Sequence, residues 1–286
     1  MYPAAFDYHR PASVDEVIQI LSDNPEAKII AGGHSLLPAM KLRLAAPGAL
    51  VDLGGIDGLT GISVDGGASI GAMTTYDEAS NNSDLASNFA ALHQAASAVG
   101  DIQVRNRGTI GGSAAHADPA ADTTAALVAH NAEFVARGPN GERTISADDF
   151  FVDLFMTALE PEEVLVRINL PAPAGNTSSA YAKFVHPASG YPVCGVAAVV
   201  TRDGSGSVTS ARVVATGSTL TPTRLTGVED AITGSSGDAD AVGAASERAS
   251  EGVNEWAGDH YASSEYREHL TKVFAKRALN SALGNG

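Results

Sequence analysis

The chain has 286 residues, 44% apolar and only 6% aromatic, with a single cysteine and a formal net charge of −15. That length supports one large domain or a few smaller ones, each with its own core. The lone Cys194 excludes an internal disulfide and any all-cysteine metal or iron–sulfur centre, and the acidic excess excludes nucleic acid and anionic membrane as partners. The longest apolar run, Val193–Val200, is far too short to cross a bilayer, and the N-terminal stretch lacks the basic and apolar regions of a signal peptide. A cytoplasmic location is expected.

Ser13-Val14-Asp15-Glu16 reads as a capping box opening a helix, with Val17, Ile18 and Leu21 at helical spacing. Lys28–Ala31 predicts a strand that feeds a glycine turn, Ile29-Ile30-Ala31-Gly32-Gly33-His34-Ser35-Leu36. Leu50–Leu53 and Ala68–Ala72 predict further strands, and Leu85–Val99 one helix with Leu85, Phe89, Leu92 and Ala96 near one face. A second glycine turn, Gly108-Thr109-Ile110-Gly111-Gly112-Ser113, also reads as leaving a strand, and Asp118-Pro119-Ala120-Ala121-Asp122 follows it. Asp122–Ala129 looks helical with Asp122 as its cap. Phe134–Ile145 reads as a hairpin around Gly138-Pro139-Asn140-Gly141, and Glu163–Leu170 as a strand stopped by Pro171.

Pro171-Ala172-Pro173-Ala174-Gly175-Asn176 is the best linker candidate. Beyond it, strands at Ala180–Val185, Val193–Thr201 and Ser207–Thr216, with turns such as Asp203-Gly204-Ser205-Gly206, predict an antiparallel meander. Helices follow near Gly227–Thr233, Asp238–Val253 and Ser264–Leu283. Strands followed by helices indicate an α+β fold rather than a βαβ array.

Paired glycines let the backbone adopt left-handed conformations and approach a ligand closely. Successive unobstructed N–H groups in such turns form anion-binding concavities. Two such turns, each with a hydroxyl residue beside it, suggest a split cradle for a dinucleotide, against the plainer reading of two tight turns. No G-x-G-x-x-G opens a helix and no G-x-x-x-x-G-K-[ST] occurs, so neither a Rossmann site nor a P-loop is indicated.

Other candidates carry plainer rivals. His34 reads as a backbone contributor rather than a base, and Asp122 as a helix cap, a ligand contact, or both. The spacing from His116 to Asp122 superficially suits a metal, but no second histidine supports it, so no metal site is expected. Cys194 in its apolar run reads as a buried, inert thiol. There is no G-x-S-x-G elbow and no proton-transfer triad, hence no catalytic residue to name. Arg267, Lys272, Lys276 and Arg277 concentrate positive charge in the last helix, as a partner-docking face or as dipole compensation.

Ala31-Gly32-Gly33-His34-Ser35, Met40-Lys41-Leu42-Arg43 and Thr109-Ile110-Gly111-Gly112-Ser113, with Glu162-Glu163-Val164-Leu165 and Tyr181-Ala182-Lys183-Phe184 further on, resemble the FAD-binding medium subunit of molybdenum hydroxylases of the carbon monoxide dehydrogenase and xanthine dehydrogenase type. The resemblance runs over nearly the whole chain. It implies a two-subdomain FAD-binding fold of the vanillyl-alcohol-oxidase (PCMH) type, over 1–54 and 55–175, and a C-terminal domain of antiparallel sheet plus helices over 176–286.

It also implies that FAD pyrophosphate lies between Ile29–Leu36 and Thr109–Ser113, that Asp122 and Leu165 lie along the cofactor, and that Lys183 and Tyr191 reach in near the flavin ring. Val99, aliphatic where xanthine dehydrogenases carry an aromatic, leans toward the carbon monoxide dehydrogenase branch. In that family a large subunit holds molybdopterin and oxidises substrate, and a small subunit carries two [2Fe-2S] clusters. The flavin then passes electrons to an acceptor such as a quinone or nicotinamide, in a dimer of heterotrimers. A medium subunit of an aldehyde, nicotine or purine dehydrogenase, a stand-alone flavin oxidase of the vanillyl-alcohol type, and an acidic scaffold without flavin are the alternatives.

Overall fold

Short strands alternating with helices build a small parallel sheet at the start of the chain. In the computed structural model, which describes residues 2–285, these are β1 (Asp7–His9), α1 (Val14–Asp23), β2 (Ala27–Ile30), α2 (Leu36–Lys41) and β3 (Ala49–Asp52). The strand order is β1-β3-β2 and both pairings are parallel, with apolar β3 buried between exposed β1 and half-buried β2. The first and last positions of the expected subdomains, 1 and 286, lie outside the described residues. Ser13 Oγ accepts the Glu16 N–H, while the Glu16 carboxylate accepts the amide of Ala12 rather than that of Ser13. Val17, Ile18 and Leu21 are buried as their spacing requires.

The next stretch runs β4 (Ile62–Asp65), β5 (Gly67–Gly71), α3 (Tyr76–Ser80), α4 (Ser83–Asn88), α5 (Ala90–Ser97), α6 (Ile102–Arg105), α7 (Ile110–His116) and α8 (Asp122–Ala129). It continues with β6 (Glu133–Gly138), β7 (Gly141–Ser146), α9 (Ala147–Phe150), β8 (Phe151–Asp153), β9 (Met156–Thr157) and β10 (Val164–Leu170). Five strands form an antiparallel sheet of order β4-β5-β10-β6-β7, with the predicted 134–145 hairpin as its β6–β7 edge. Ile70, Phe134 and Ile168 join Leu85, Leu92, Leu127 and Phe150 in one fully buried cluster.

Two expectations are corrected here. The helix expected over Leu85–Val99 is two helices, broken at Phe89 (φ −135°, ψ 51°). Phe89 closes α4 through its N–H to Leu85 O and opens α5 through its carbonyl, and the break seats its ring edge-on against His130, 5.3 Å away. Core packing overrides local helix propensity at that residue. The second glycine segment does not turn out of a strand but forms the first turn of α7, capped by Thr109, whose only ladder contact is a bridge to Thr75.

The rest is a meander, β11 (Thr177–Val185), β12 (Pro192–Arg202), β13 (Val208–Thr216) and β14 (Thr223–Arg224), followed by α10 (Thr226–Ile232), α11 (Ala239–Ser246) and α12 (Ser264–Leu283). Helix α12 covers one face of this sheet, while α5 and α8 of the preceding part cover the other. Val193–Val200 is apolar almost throughout because β12 is sandwiched between these layers. The helix expected to reach Val253 stops at Ser246, where tight turns and Gly252 (φ +80°) take over. Among the described residues no helix is long and apolar enough to cross a membrane.

Arg267 does not belong to an exposed basic face. It is buried, and its guanidinium donates to Val193 O (2.7 Å), Gly217 O (2.6 Å) and Asp259 (2.5 Å). Arg277 lies over the Phe274 ring, 4.6 Å from its centre, and Lys272 approaches Glu247 at 3.8 Å.

Candidate cofactor site

Strand β2 delivers the chain into the loop 31–35, where Gly33 takes φ +75° and α2 begins at Leu36. Among the described residues, the amides of Gly32, Gly33, His34, Ser35 and Leu36 meet no protein acceptor. The Ser35 hydroxyl makes no capping bond to α2, and the His34 ring folds back so that Nδ1 lies 3.2 Å from Gly32 O. Unpaired N–H groups in succession next to a helix start are suited to an anion.

The facing segment differs. Ile110 N–H donates to Thr74 O and Gly111 N–H to Ala72 O, both at 2.9 Å. Gly112 N–H donates to Thr109 Oγ1 (3.1 Å) and Ser113 N–H to Thr109 O (3.0 Å). Glycine is required here for contact. A Cβ on Gly111 would lie 2.5 Å from Ala72 Cβ, and one on Gly112 would lie 2.5 Å from Thr109 Oγ1 and 3.3 Å from Ala31 Cβ. Gly32 in turn packs on the backbone of Arg107 and Gly108, where a Cβ would overlap the Arg107 carbonyl. The two glycine segments are thus pressed together, and only the first has free amides.

Their junction floors a cleft of about 910 Å³, at the upper end of the range for small-molecule and cofactor sites. Ile29, Ile30, Ala31, Gly32, Gly33, His34, Ser35, Leu36, Thr109, Gly111, Gly112, Ser113, Asp122, Leu165 and Tyr191 all line it. Ile110 and Lys183 do not. Ile110 is fully buried in the core. Lys183, which reads in isolation as a solvated strand-end lysine, is only 5% exposed and donates to Asp122 Oδ2 and to Ala98 O, both at 2.9 Å.

Asp122 is not the cap of α8. Ala121 holds that position, and Asp122, the first helical residue, also accepts the Tyr181 hydroxyl at 2.7 Å. Burial pushes its carboxyl up to about 6, against the opposing pull of Lys183 and Tyr181. Tyr191 stands half-exposed at the cleft, its hydroxyl pKa raised by burial and by the charges of Asp118 and Asp122. Its loop is closed by His186 N–H to Tyr191 O (2.8 Å), with the His186 ring 4.3 Å from that of Tyr261. His116 lines the same cleft as Asp122, with its ring 5.1 Å from that of Phe155. Among the described residues no group of three or more His, Cys, Asp or Glu side chains converges on one point. Cys194 is buried, and burial pushes its thiol up to about 11.

Sequence reasoning missed several lining residues. Tyr76, Ala45–Pro47 and the β9-to-β10 loop enter the cleft only because of how the sheets pack, and no local pattern marks them. Of the exposed apolar side chains Val152, Leu154, Phe155 and Met156 just before that loop, Phe155 also enters the cleft.

Residues 4–173 match the family described as the FAD binding domain in molybdopterin dehydrogenase, and residues 179–282 match the CO dehydrogenase flavoprotein C-terminal domain. The chain is 39% identical over 284 residues to the carbon monoxide dehydrogenase medium chain of Hydrogenophaga pseudoflava, covering 99% of this chain and 98% of that one. It is 33% identical over 285 residues to the 6-hydroxypseudooxynicotine dehydrogenase complex subunit alpha of Paenarthrobacter nicotinovorans, covering 99% and 96%. A solved structure of carbon monoxide dehydrogenase from Hydrogenophaga pseudoflava, lacking the Mo-pyranopterin moiety of its cofactor, superposes with a TM-score of 0.94 at 40% identity, over 100% of this chain and 99% of that one. The chain belongs to the FAD-binding medium-chain family of the molybdenum hydroxylases, oxidoreductase subunits that include the carbon monoxide dehydrogenase medium chains.

Proposed function

We propose that this chain is the electron-transfer subunit of a heteromeric molybdenum hydroxylase and holds FAD in the cleft between the two glycine segments. One observation carries the reading: five successive residues, 32–36, whose amides meet no acceptor among the described residues, line a cleft of cofactor size. The donor set fits a pyrophosphate, which needs directed N–H groups more than cationic side chains. On this reading those amides hold the pyrophosphate, and Thr109 and Ser113 add hydroxyl contacts from across the cleft. Ile29, Ile30, Gly111, Gly112 and Leu165 shape the walls, and Tyr191 offers a ring face. Asp122 accepts hydrogen bonds, while Ile110 and Lys183 act from behind the wall.

Bound FAD supplies the ability to take electrons singly and to deliver them as a pair. The chain's own part is to bind and orient the cofactor and to shield part of it from water. Molybdopterin and [2Fe-2S] clusters belong, on this proposal, to a large and a small partner subunit in a dimer of heterotrimers, and a quinone or nicotinamide takes the electrons. The proposed units are 1–54, 55–175 and 176–286.

Carbon monoxide is the favoured substrate of the assembly, supported by the 39% identity to a carbon monoxide dehydrogenase medium chain. A second reading, a medium subunit of an aldehyde or nicotine-derivative dehydrogenase, is supported by relatives at 33% identity named for glyceraldehyde and 6-hydroxypseudooxynicotine. The full-length matches leave less support for a stand-alone flavin oxidase. The test is to purify the assembly, release and identify its flavin, and assay carbon monoxide, glyceraldehyde and 6-hydroxypseudooxynicotine with an artificial acceptor. One non-covalent FAD per chain with carbon monoxide turnover is expected. FMN or no flavin would overturn the cofactor assignment, and turnover of another substrate alone would replace carbon monoxide.

A further inference from the structure

The trio of buried Asp122, partly buried Tyr181 and Lys183 spans two parts of the chain. Asp122 opens α8 in the first part, while Tyr181 and Lys183 stand on β11 of the meander. The Tyr181 backbone is itself pinned, its N–H donating to Gln94 Oε1 on α5 at 2.8 Å. A second observation shows that the hydroxyl is deliberately seated. Gly195, in the middle of buried β12, would carry a Cβ overlapping the Tyr181 hydroxyl. A glycine inside a strand weakens it and marks a close approach; here the approaching group is the tyrosine hydroxyl.

The loop before Asp122 is held from the same sheet. Thr216 Oγ1 donates to Pro119 O (2.6 Å) and Gly217 N–H to the same carbonyl (2.7 Å). An ionised carboxylate offers about four lone-pair sites. Tyr181 takes one on Oδ1 and Lys183 one on Oδ2, which leaves acceptor capacity on a residue that lines the cleft. A carboxylate is repelled by a pyrophosphate, so its partner is a neutral donor away from the phosphates. Half-exposed Tyr191, which feels the Asp122 charge, stands beside it with an aromatic face.

We propose that Tyr181 is a positioning residue for the cofactor: together with Lys183 it holds Asp122 ionised and aimed into the cleft, where the carboxylate accepts a hydrogen bond from an N–H or O–H on the flavin half of FAD. This rests on the FAD reading above. The groups that feel or hold the Asp122 charge are Tyr181 and Lys183 from β11, Tyr76 from α3 and Tyr191 from its loop. Lys183 and the Tyr181 hydroxyl favour the charged carboxyl, and burial opposes it. Losing the tyrosine hydroxyl therefore raises the pH at which Asp122 ionises.

The test uses the full chain, stripped of flavin and reloaded, with FAD and ADP dissociation constants measured between pH 5 and 9 for wild type, Tyr181→Phe and Asp122→Asn. Wild type should hold FAD with constant affinity above neutrality and lose about tenfold as pH falls through about 6. Tyr181→Phe should show the same step displaced to higher pH, and Asp122→Asn should show weak affinity without a step. ADP, which lacks the flavin half, should bind all three alike. FAD affinity without a step in wild type, an unmoved step in Tyr181→Phe, or equal losses for ADP would each overturn the proposal. Should Tyr181→Phe not fold, Gly195→Ala, whose Cβ would displace the Tyr181 hydroxyl, should move the step in the same direction, and an unmoved step there would overturn the proposal. Wild type that binds ADP but not FAD, or neither, would instead sink the FAD reading.

Discussion

The two glycine segments look alike in sequence and use glycine for opposite ends. In 31–36 the backbone turns through a left-handed Gly33 and leaves the amides of 32–36 without an acceptor among the described residues. In 109–113 every amide from Ile110 to Ser113 is bonded within the protein, and the missing side chains let α7 press against Ala72 and Ala31. One segment offers open amides to the cleft wall, and the other packs behind it as a buttress. A glycine pair therefore announces close approach without saying whether the approaching group is a ligand or the protein itself.

Four experiments sharpen or break this contrast. The largest effect is expected for Gly32→Ala, whose Cβ would collide with the rigid Arg107 carbonyl and push the segments apart. It should cost roughly 3 kcal/mol, at the upper end for overpacking, and reduce flavin content at least tenfold, as read by denaturant melts and flavin release. Gly111→Ala should cost roughly 2 kcal/mol through its clash with Ala72, while the folded fraction keeps its flavin. If it lost flavin without losing stability, the buttress assignment would be wrong.

Thr109→Ala removes the cap of α7 and should cost about 1 kcal/mol, with Thr109→Ser close to neutral. Ser35→Ala, at a hydroxyl that caps nothing, should stay within about 0.5 kcal/mol and register only as weaker flavin affinity. Equal stability losses at the two sites would erase the distinction. Finally, hydrogen exchange on chain with and without FAD should show new protection confined to 32–36, with 110–113 protected throughout.

The parts of the fold legible from sequence were those whose cause is local. The Ser13 cap, the 134–145 hairpin and the alternating strands of the meander carry their own signals, and the structure forms them. What stayed hidden depends on partners far away in the chain. Phe89 breaks a helix for a place beside His130, and Arg267 is withdrawn from a basic surface by carbonyls at Val193 and Gly217. Lys183 is drawn inward by Asp122, 61 residues earlier. The cleft shows the same division. The glycine segments were visible as motifs, but which had free amides depended on Ala72 and Thr74, whose carbonyls satisfy α7. Tyr181 carried no signal, because a tyrosine in a strand is ordinary until its hydroxyl is seen at Asp122.

The double hold of Thr216 and Gly217 on the Pro119 carbonyl joins the end of β13 in the meander to the loop that leads into Asp122. Any ligand that steadies this loop also steadies the docking of one folding unit on the other, and the free energy of the two events is shared. Cofactor supply then becomes a test of maturity. A chain without flavin should keep a looser joint between the two units, read as faster hydrogen exchange at the Gly217 amide.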